Sequence, residues 1–217
     1  MNLEQARFNM IEQQIRPWDV LDATVLGLLQ QVPREDFVPA QYAGLAFADL
    51  EIPIGHGQSM LSPKLEARIV QALELKKTDR VLEIGTGCGY LTALLATLAG
   101  QVVSVDCVAK FTEAARQKLQ QHGIANVTLA SGDAMLGWEA EGVYDAIVLT
   151  GSVPLPPSAL QQKLTPGGRL FAVIGAAPAM AATLIRRIDE HAFHSEVLFE
   201  TCVPQLSNAP QPERFNF

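Results

Sequence analysis

Arg80-Val-Leu-Glu-Ile-Gly-Thr-Gly-Cys-Gly-Tyr90 is the stretch on which the reading of this chain turns. Its first five residues are a short β-rich apolar run. Three glycines follow at alternate positions, and the run Leu91–Leu98 behind them has helical character. Glycines at a strand-to-helix junction allow positive φ and let the backbone come close to a ligand. Read alone, the triplet is also compatible with a plain tight turn. The spacing is GxGxG and not the GxGxxG of dinucleotide sites, and Glu83 stands just before it. A carboxylate there opposes a pyrophosphate and favours a cationic ligand.

The same grammar continues on both sides. Leu65, Ile69, Val70 and Leu73 recur at helical spacing ahead of the loop. After it, Val102–Val105 reads as a strand, Thr112–His122 as a helix and Val127–Ala130 as a strand. Tyr144–Leu149 and Arg169–Val173 read as strands with a helical stretch, Ser158–Leu164, between them. Short β runs alternating with amphipathic helices predict an α/β fold with a Rossmann-like, doubly wound, mostly parallel sheet. Ala182–Ile188 and Glu196–Val203 are too close for a crossover and predict a C-terminal antiparallel hairpin. Residues 2–31 carry two helical patterns, the second capped by Asp22, so an N-terminal helical arm is expected. The expected organisation is an arm with a substrate-side loop over 1–63, a Rossmann-like domain over 64–206, and a tail over 207–217. Within the first part, 47–63 reads as loop, with Pro53, Gly55, Gly57 and Pro63 closely spaced.

Two acids extend the loop's chemistry. Asp106 ends the strand after the loop, where α/β nucleotide sites place a carboxylate to accept from ribose hydroxyls. Asp133, in Ser131-Gly-Asp-Ala134, is placed to accept from an exocyclic adenine amine. Either acid alone is also an ordinary strand-end or turn residue. Cys88 and Cys107 adjoin the site and read as small packing residues, and Trp18 and Trp138 as packing groups.

Composition sets limits. The chain has 217 residues, 48% of them hydrophobic, and a net charge of −7 from 16 Lys and Arg against 23 Asp and Glu. An acidic chain without a basic run is poorly suited to nucleic acid or anionic lipid. Three cysteines without a CxxC suggest neither a disulfide framework nor a zinc site. The longest apolar run, Leu170–Ile185, is short of the roughly 20 residues of a membrane span. No signal-peptide pattern opens the chain, so a cytoplasmic location is expected.

Together, E-x-G-x-G-x-G, Asp106 and the Gly132-Asp133 turn resemble class I S-adenosylmethionine-dependent methyltransferases. Further motifs narrow this: Val32-Pro-Arg-Glu-Asp-Phe-Val-Pro39, Ile52-Pro-Ile-Gly-His-Gly-Gln58, Tyr144-Asp-Ala-Ile-Val148 and Leu164-x-Pro-Gly-Gly168. They resemble the protein-L-isoaspartate O-methyltransferases over roughly residues 7–205. The resemblance implies S-adenosyl-L-methionine as cofactor and proteins or peptides bearing isoaspartyl residues as substrate. It implies a cofactor site of Gln58, Glu83, Gly85, Thr86, Gly87, Cys88, Tyr90, Asp106, Cys107, Gly132, Asp133 and Ala134.

One departure stands out. The family reads G-Q-T-I-S-x-P where this chain has Gly57-Gln-Ser-Met-Leu-Ser-Pro63. Ser59 keeps a hydroxyl at the threonine position, but Leu61 occupies the catalytic serine position, and leucine cannot bond a carboxylate. Ser59, Ser62 and Thr150 are the hydroxyls left as catalytic candidates. Three readings follow: Ser62 substitutes, the acceptor differs, or the chain binds cofactor without this chemistry. A carboxylate acceptor is already ionised at neutral pH and needs no general base. That agrees with four histidines that lack evident partners.

Overall fold

The computed structural model describes residues 2–138 and 142–212. The chain opens with α1 (Leu3–Met10), which continues through a π turn over Ile11–Ile15 into a 3₁₀ turn over Arg16–Trp18. The first helical pattern is therefore three helix types in series, with Pro17 tolerated at the start of the last. In α2 (Ala23–Gln31) Asp22 is the cap, its carboxylate accepting from Thr24 N at 2.7 Å and Val25 N at 3.2 Å. These helices bury Met10, Ile11, Ile15, Val25, Leu26, Leu28 and Leu29 against the main core.

Residues 47–63 are more ordered than a loop. They contain a two-stranded antiparallel hairpin, β1 (Ile52–Gly55) and β2 (Gln58–Met60), set apart from the main sheet. Its turn, Gly55-His56-Gly57, has positive φ throughout, at 96°, 52° and 72°. That is why glycine flanks the single side chain there. Helix α3 (Pro63–Leu73) follows, opened by Ser62 with proline in its first turn.

The main sheet has seven strands in the order β5-β4-β3-β6-β7-β8-β9. These are β3 (Arg80–Ile84), β4 (Gln101–Asp106), β5 (Val127–Ser131), β6 (Tyr144–Val153), β7 (Leu164–Ala176), β8 (Ala179–Arg187) and β9 (Phe193–Glu200). The first five pair in parallel; β7–β8 and β8–β9 pair antiparallel. Helices α4 (Tyr90–Leu98) and α5 (Ala109–Gln121) make the crossovers between β3, β4 and β5. Between β6 and β7 the helix shrinks to α6 (Ser158–Gln161), since β7 already begins at Leu164. The doubly wound, mostly parallel fold with an antiparallel C-terminal end and an N-terminal helical arm is thus as the sequence predicts. Two apolar cores, one on each side of the sheet, share no residue. No helix of the described residues is long and apolar enough to cross a membrane.

The order in which strands are added switches sides at β3. From there it winds through β4 to β5, then returns to the other side at β6. Ligands in open α/β sheets bind at such a switch point, beyond the carboxyl ends of the strands.

Candidate active site

The cleft lies at that switch point. It is lined by the ends of β3, β4 and β6, the turn after β5, the β1–β2 hairpin and the segment Pro204–Ser207. The cleft is partly open to solvent, with polar groups and apolar side chains together in its lining. A smaller inner lobe continues beneath the hairpin, lined by Met60, Leu61, Glu66, Thr86, Cys88 and Leu91 among others.

Gly85 has φ +99°, and a Cβ on it would stand 2.1 Å from Thr150 Oγ1. Thr150, at the end of β6, donates to the carbonyls of Ile84 (3.1 Å) and Gly85 (2.9 Å). The switch point is thus closed by one threonine clasping the glycine loop. Its hydroxyl hydrogen is committed there, so toward a ligand Thr150 can only accept. At Gly87 (φ +52°) a Cβ would meet Ile54 Cδ1 of the hairpin at 3.2 Å. At Gly89 the clash is with Ala115 of α5, at 2.8 Å. Gly132 is needed for Trp138, whose ring a Cβ would approach to 2.8 Å. The glycines therefore serve close protein packing first.

Asp106 is nearly buried and lines the cleft. Its Oδ2 accepts from Gly87 N at 2.9 Å and its Oδ1 from Val108 N at 2.8 Å. One carboxylate so orders both the glycine loop and the start of α5. Each oxygen retains acceptor capacity. Asp133 also lines the cleft, accepting from Met135 N at 2.9 Å and the Asn208 amide at 3.0 Å.

Glu83 is placed differently from the expectation that its charge faces a cation. It is completely buried behind the loop and does not line the cleft. Its Oε2 accepts from Thr92 Oγ1 at 2.5 Å and Ser104 Oγ at 2.6 Å, while Oε1 has no partner. Burial raises its pKa from 4.5 to about 8; the two hydroxyls oppose this and Asp106 adds to it. Glu83 is therefore mainly protonated at neutral pH. Its hydroxyl partners connect it to the loop, since Ser104 Oγ lies 2.6 Å from Thr86 Oγ1.

The other expected residues divide. Gln58, Ser59, Gly85, Gly87, Asp106, Cys107, Gly132, Asp133, Ala134 and Thr150 line the main cleft; Thr86 and Cys88 line the inner lobe. Tyr90 is buried behind the loop, its ring 5.5 Å from that of Phe37. Ser62 caps the start of α3 and lines neither lobe. Ser59 lines both lobes, and its hydroxyl has no hydrogen-bond partner among the described residues. Leu61 also lines both.

Sequence reasoning missed the walls. Phe111 of α5 lines the cleft and meets the His56 ring edge-on at 5.5 Å, so the hairpin tip reaches across to α5. Gln205, Leu206 and Ser207 line it from the C-terminal side. That segment is fixed by Ser152 N to Pro204 O at 2.9 Å and Leu206 N to Ser152 O at 3.0 Å. Buried Ala209 continues it into the second core. The sequence reading ends the domain at Leu206 and starts the tail at Ser207, and the available signal for a wall here was the apolar pair Val203 and Leu206.

The chain matches the family described as protein-L-isoaspartate(D-aspartate) O-methyltransferase over residues 5–207. The chain belongs to this family. It is 40% identical over 198 residues to protein-L-isoaspartate O-methyltransferase 2 of Pelobacter propionicus, covering 91% of this chain and 88% of the relative. It is 41% identical to the protein-L-isoaspartate O-methyltransferase of Methanoculleus marisnigri, covering 78% and 77%. A crystal structure from Plasmodium falciparum, assigned to the same O-methyltransferases and solved with S-adenosyl-L-homocysteine, shares the fold. Its TM-score is 0.77 at 20% identity, covering 95% of this chain and 99% of that one. A further solved protein-L-isoaspartate O-methyltransferase gives 0.78 at 25% identity, covering 93% and 66%. As a member of this methyltransferase family, the chain has a cleft suited to an adenosine-bearing cofactor. Asp106 and Asp133 both keep acceptor capacity at the cleft, and the apolar Ile84, Val105 and Phe111 line it beside them.

Proposed function

We propose that this chain transfers a methyl group from S-adenosyl-L-methionine to the free carboxylate of L-isoaspartyl residues in peptides and proteins. The observation that carries the reading is the absence of a base. Among the described residues, no imidazole, amine or phenol lines either lobe of the cleft. Asp106 and Asp133 are held by backbone amides, and Glu66 is paired with Arg34. Burial pushes the Cys88 thiol above its usual range. An alcohol or amide acceptor would need a group to take its proton. A carboxylate, with a pKa near 4, arrives ionised. The names of the 40%-identical relatives favour the same acceptor.

When bound, S-adenosyl-L-methionine would supply an electrophilic methyl group that a carboxylate can take up without giving up a proton. The chain's part is placement. Asp106 would hold the ribose hydroxyls and Asp133 the exocyclic adenine amine, while Thr150 and the hairpin complete the lining of the cleft. Ser59 donates its free hydroxyl to the acceptor carboxylate, the task that Leu61 cannot perform. The hairpin, with Ile54 over Gly87 and His56 against Phe111, excludes water from the reacting atoms.

The pH dependence of turnover tests this. With saturating isoaspartyl peptide and labelled cofactor, turnover to a base-labile methyl ester should be flat between pH 6 and 8, to within about threefold if no base titrates. A steep rise across that range, or label in a base-stable product, would contradict the reading.

A further inference from the structure

Arg34 is 1% exposed and uses all three faces of its guanidinium. Its Nε donates to the carbonyl of Ala46 at 2.9 Å, its Nη1 pairs with the Glu66 carboxylate, and its Nη2 donates to the carbonyl of Leu61 at 2.7 Å. The guanidinium carbon lies 5.1 Å from the centre of the Tyr90 ring. Burial lowers its pKa to about 10, which leaves it charged at neutral pH. Its partners come from four places: the stretch before the hairpin, the residue that ends the hairpin, α3, and the first residue of α4. Leu61 lines both lobes of the cleft, and Tyr90 directly follows the glycine loop.

A buried ion pair is a poor device for stability alone, because desolvation offsets most of the attraction and an apolar pair of similar volume does as well or better. Its geometry is what an apolar pair cannot reproduce. The hairpin needs such geometry. It has two short strands, joins no larger sheet, and turns through three residues of positive φ. Isolated hairpins of this size are marginal in water. Fixing the Leu61 carbonyl also fixes the plane of the peptide that joins the hairpin to α3.

We propose that Arg34 is a positioning residue: through its bond to the Leu61 carbonyl it holds the hairpin, residues 52–61, as the acceptor wall of the cleft, in register with the glycine loop beneath Tyr90. The proposal rests on the reading of the cleft as a methyltransferase site, and its test is built to fail separately from that reading.

The test compares wild type with Glu66→Gln, Arg34→Lys and the double variant Arg34→Met/Glu66→Leu. The double variant removes both charges together and so strands neither. Hydrogen exchange of the amides in residues 52–61 is the first readout, and it needs no substrate. Exchange should quicken at least tenfold in the double variant and in Arg34→Lys, which lacks the planar fork. It should change less than threefold in Glu66→Gln, where Arg34 still holds Leu61. The second readout is the KM for isoaspartyl peptide. It should rise at least tenfold in the double variant and in Arg34→Lys, while cofactor affinity stays within threefold of wild type. If the double variant does not fold, Arg34→Lys carries both readouts. Hairpin exchange at the wild-type rate in a folded Arg34 variant would overturn the proposal, as would an unchanged KM beside unchanged exchange. If wild type methylates no isoaspartyl peptide, the proposed acceptor is lost, and the exchange result still decides the role of Arg34.

Discussion

The two walls of the cleft are built on opposite plans. The cofactor wall is made of backbone: strand ends set by a five-strand parallel register, glycines in close contact with neighbours, and one carboxylate accepting two amides. The acceptor wall is a small hairpin outside the sheet, its Ile52 and Met60 buried in the main core, its exit held by a buried cation and its tip meeting α5 through His56 and Phe111. The first plan gives a rigid surface that tolerates little change. The second gives a surface whose side chains can change, provided that its anchor stays.

The contrast predicts effects of decreasing size. The largest should come from Gly85→Ala, since its Cβ would overlap Thr150 Oγ1 at 2.1 Å on a backbone with φ +99°. Overpacking and strain together should cost roughly 2–4 kcal/mol, read as a lower urea midpoint. A midpoint within experimental error of wild type would show that the cofactor wall is more pliant than described.

Next is Asp106→Ala. Charge-assisted bonds of this kind contribute roughly 1.5–3 kcal/mol, so calorimetry should find S-adenosyl-L-methionine bound about tenfold to a hundredfold more weakly. Unchanged affinity in a folded variant would remove the ribose assignment.

On the acceptor wall, Ser59→Ala should lower turnover about tenfold and leave cofactor affinity unchanged, one hydrogen bond to a charged group being involved. Leu61→Ser should raise turnover if the missing hydroxyl limits it. A fall in cofactor affinity on Ser59→Ala would mean that the two walls are not separable.

The last effect is one of pH dependence and belongs to Glu83→Gln. Glu83 has its pKa raised from 4.5 to about 8, so between these values the native chain keeps a proton that the unfolded chain has released. The resulting stabilisation is fully present below pH 4.5 and is lost as pH rises toward 8. Glutamine cannot titrate. The variant should therefore lack this fall and gain on wild type steadily from pH 5 to 8.5, by thermal unfolding. Parallel curves would show that Glu83 does not hold its proton.

The sequence made the cofactor wall readable because backbone-built features leave marks at short range. Arg80–Ile84, the loop glycines and Asp106 lie within one βαβ unit, and period and spacing locate them. Alternating strands and helices then give the doubly wound, mostly parallel sheet, while the strand order is seen only in the folded chain. Nothing comparable marks the acceptor wall. The pairing of Ile52 with Met60 is too short to show a period, and Pro53 with Gly55 reads as loop. Arg34 and Glu66 are thirty-two residues apart and look like ordinary surface charges until folding buries both. Glu83 misleads for the same reason, since sequence gives its charge and only packing shows that it is sealed in and protonated. The C-terminal wall, Gln205–Ser207, straddles the expected start of the tail at Ser207, and the prolines and polar residues around it hide its role in the cleft.

On the proposed function, the acceptor wall serves an isoaspartyl carboxylate even with Leu61 in place. The most direct test is transfer of labelled methyl from S-adenosyl-L-methionine to an isoaspartyl peptide, beside the same peptide with ordinary aspartate. The account predicts base-labile label in the isoaspartyl peptide and at most background in its twin. Cofactor binding without label in either peptide, or equal label in both, would contradict it.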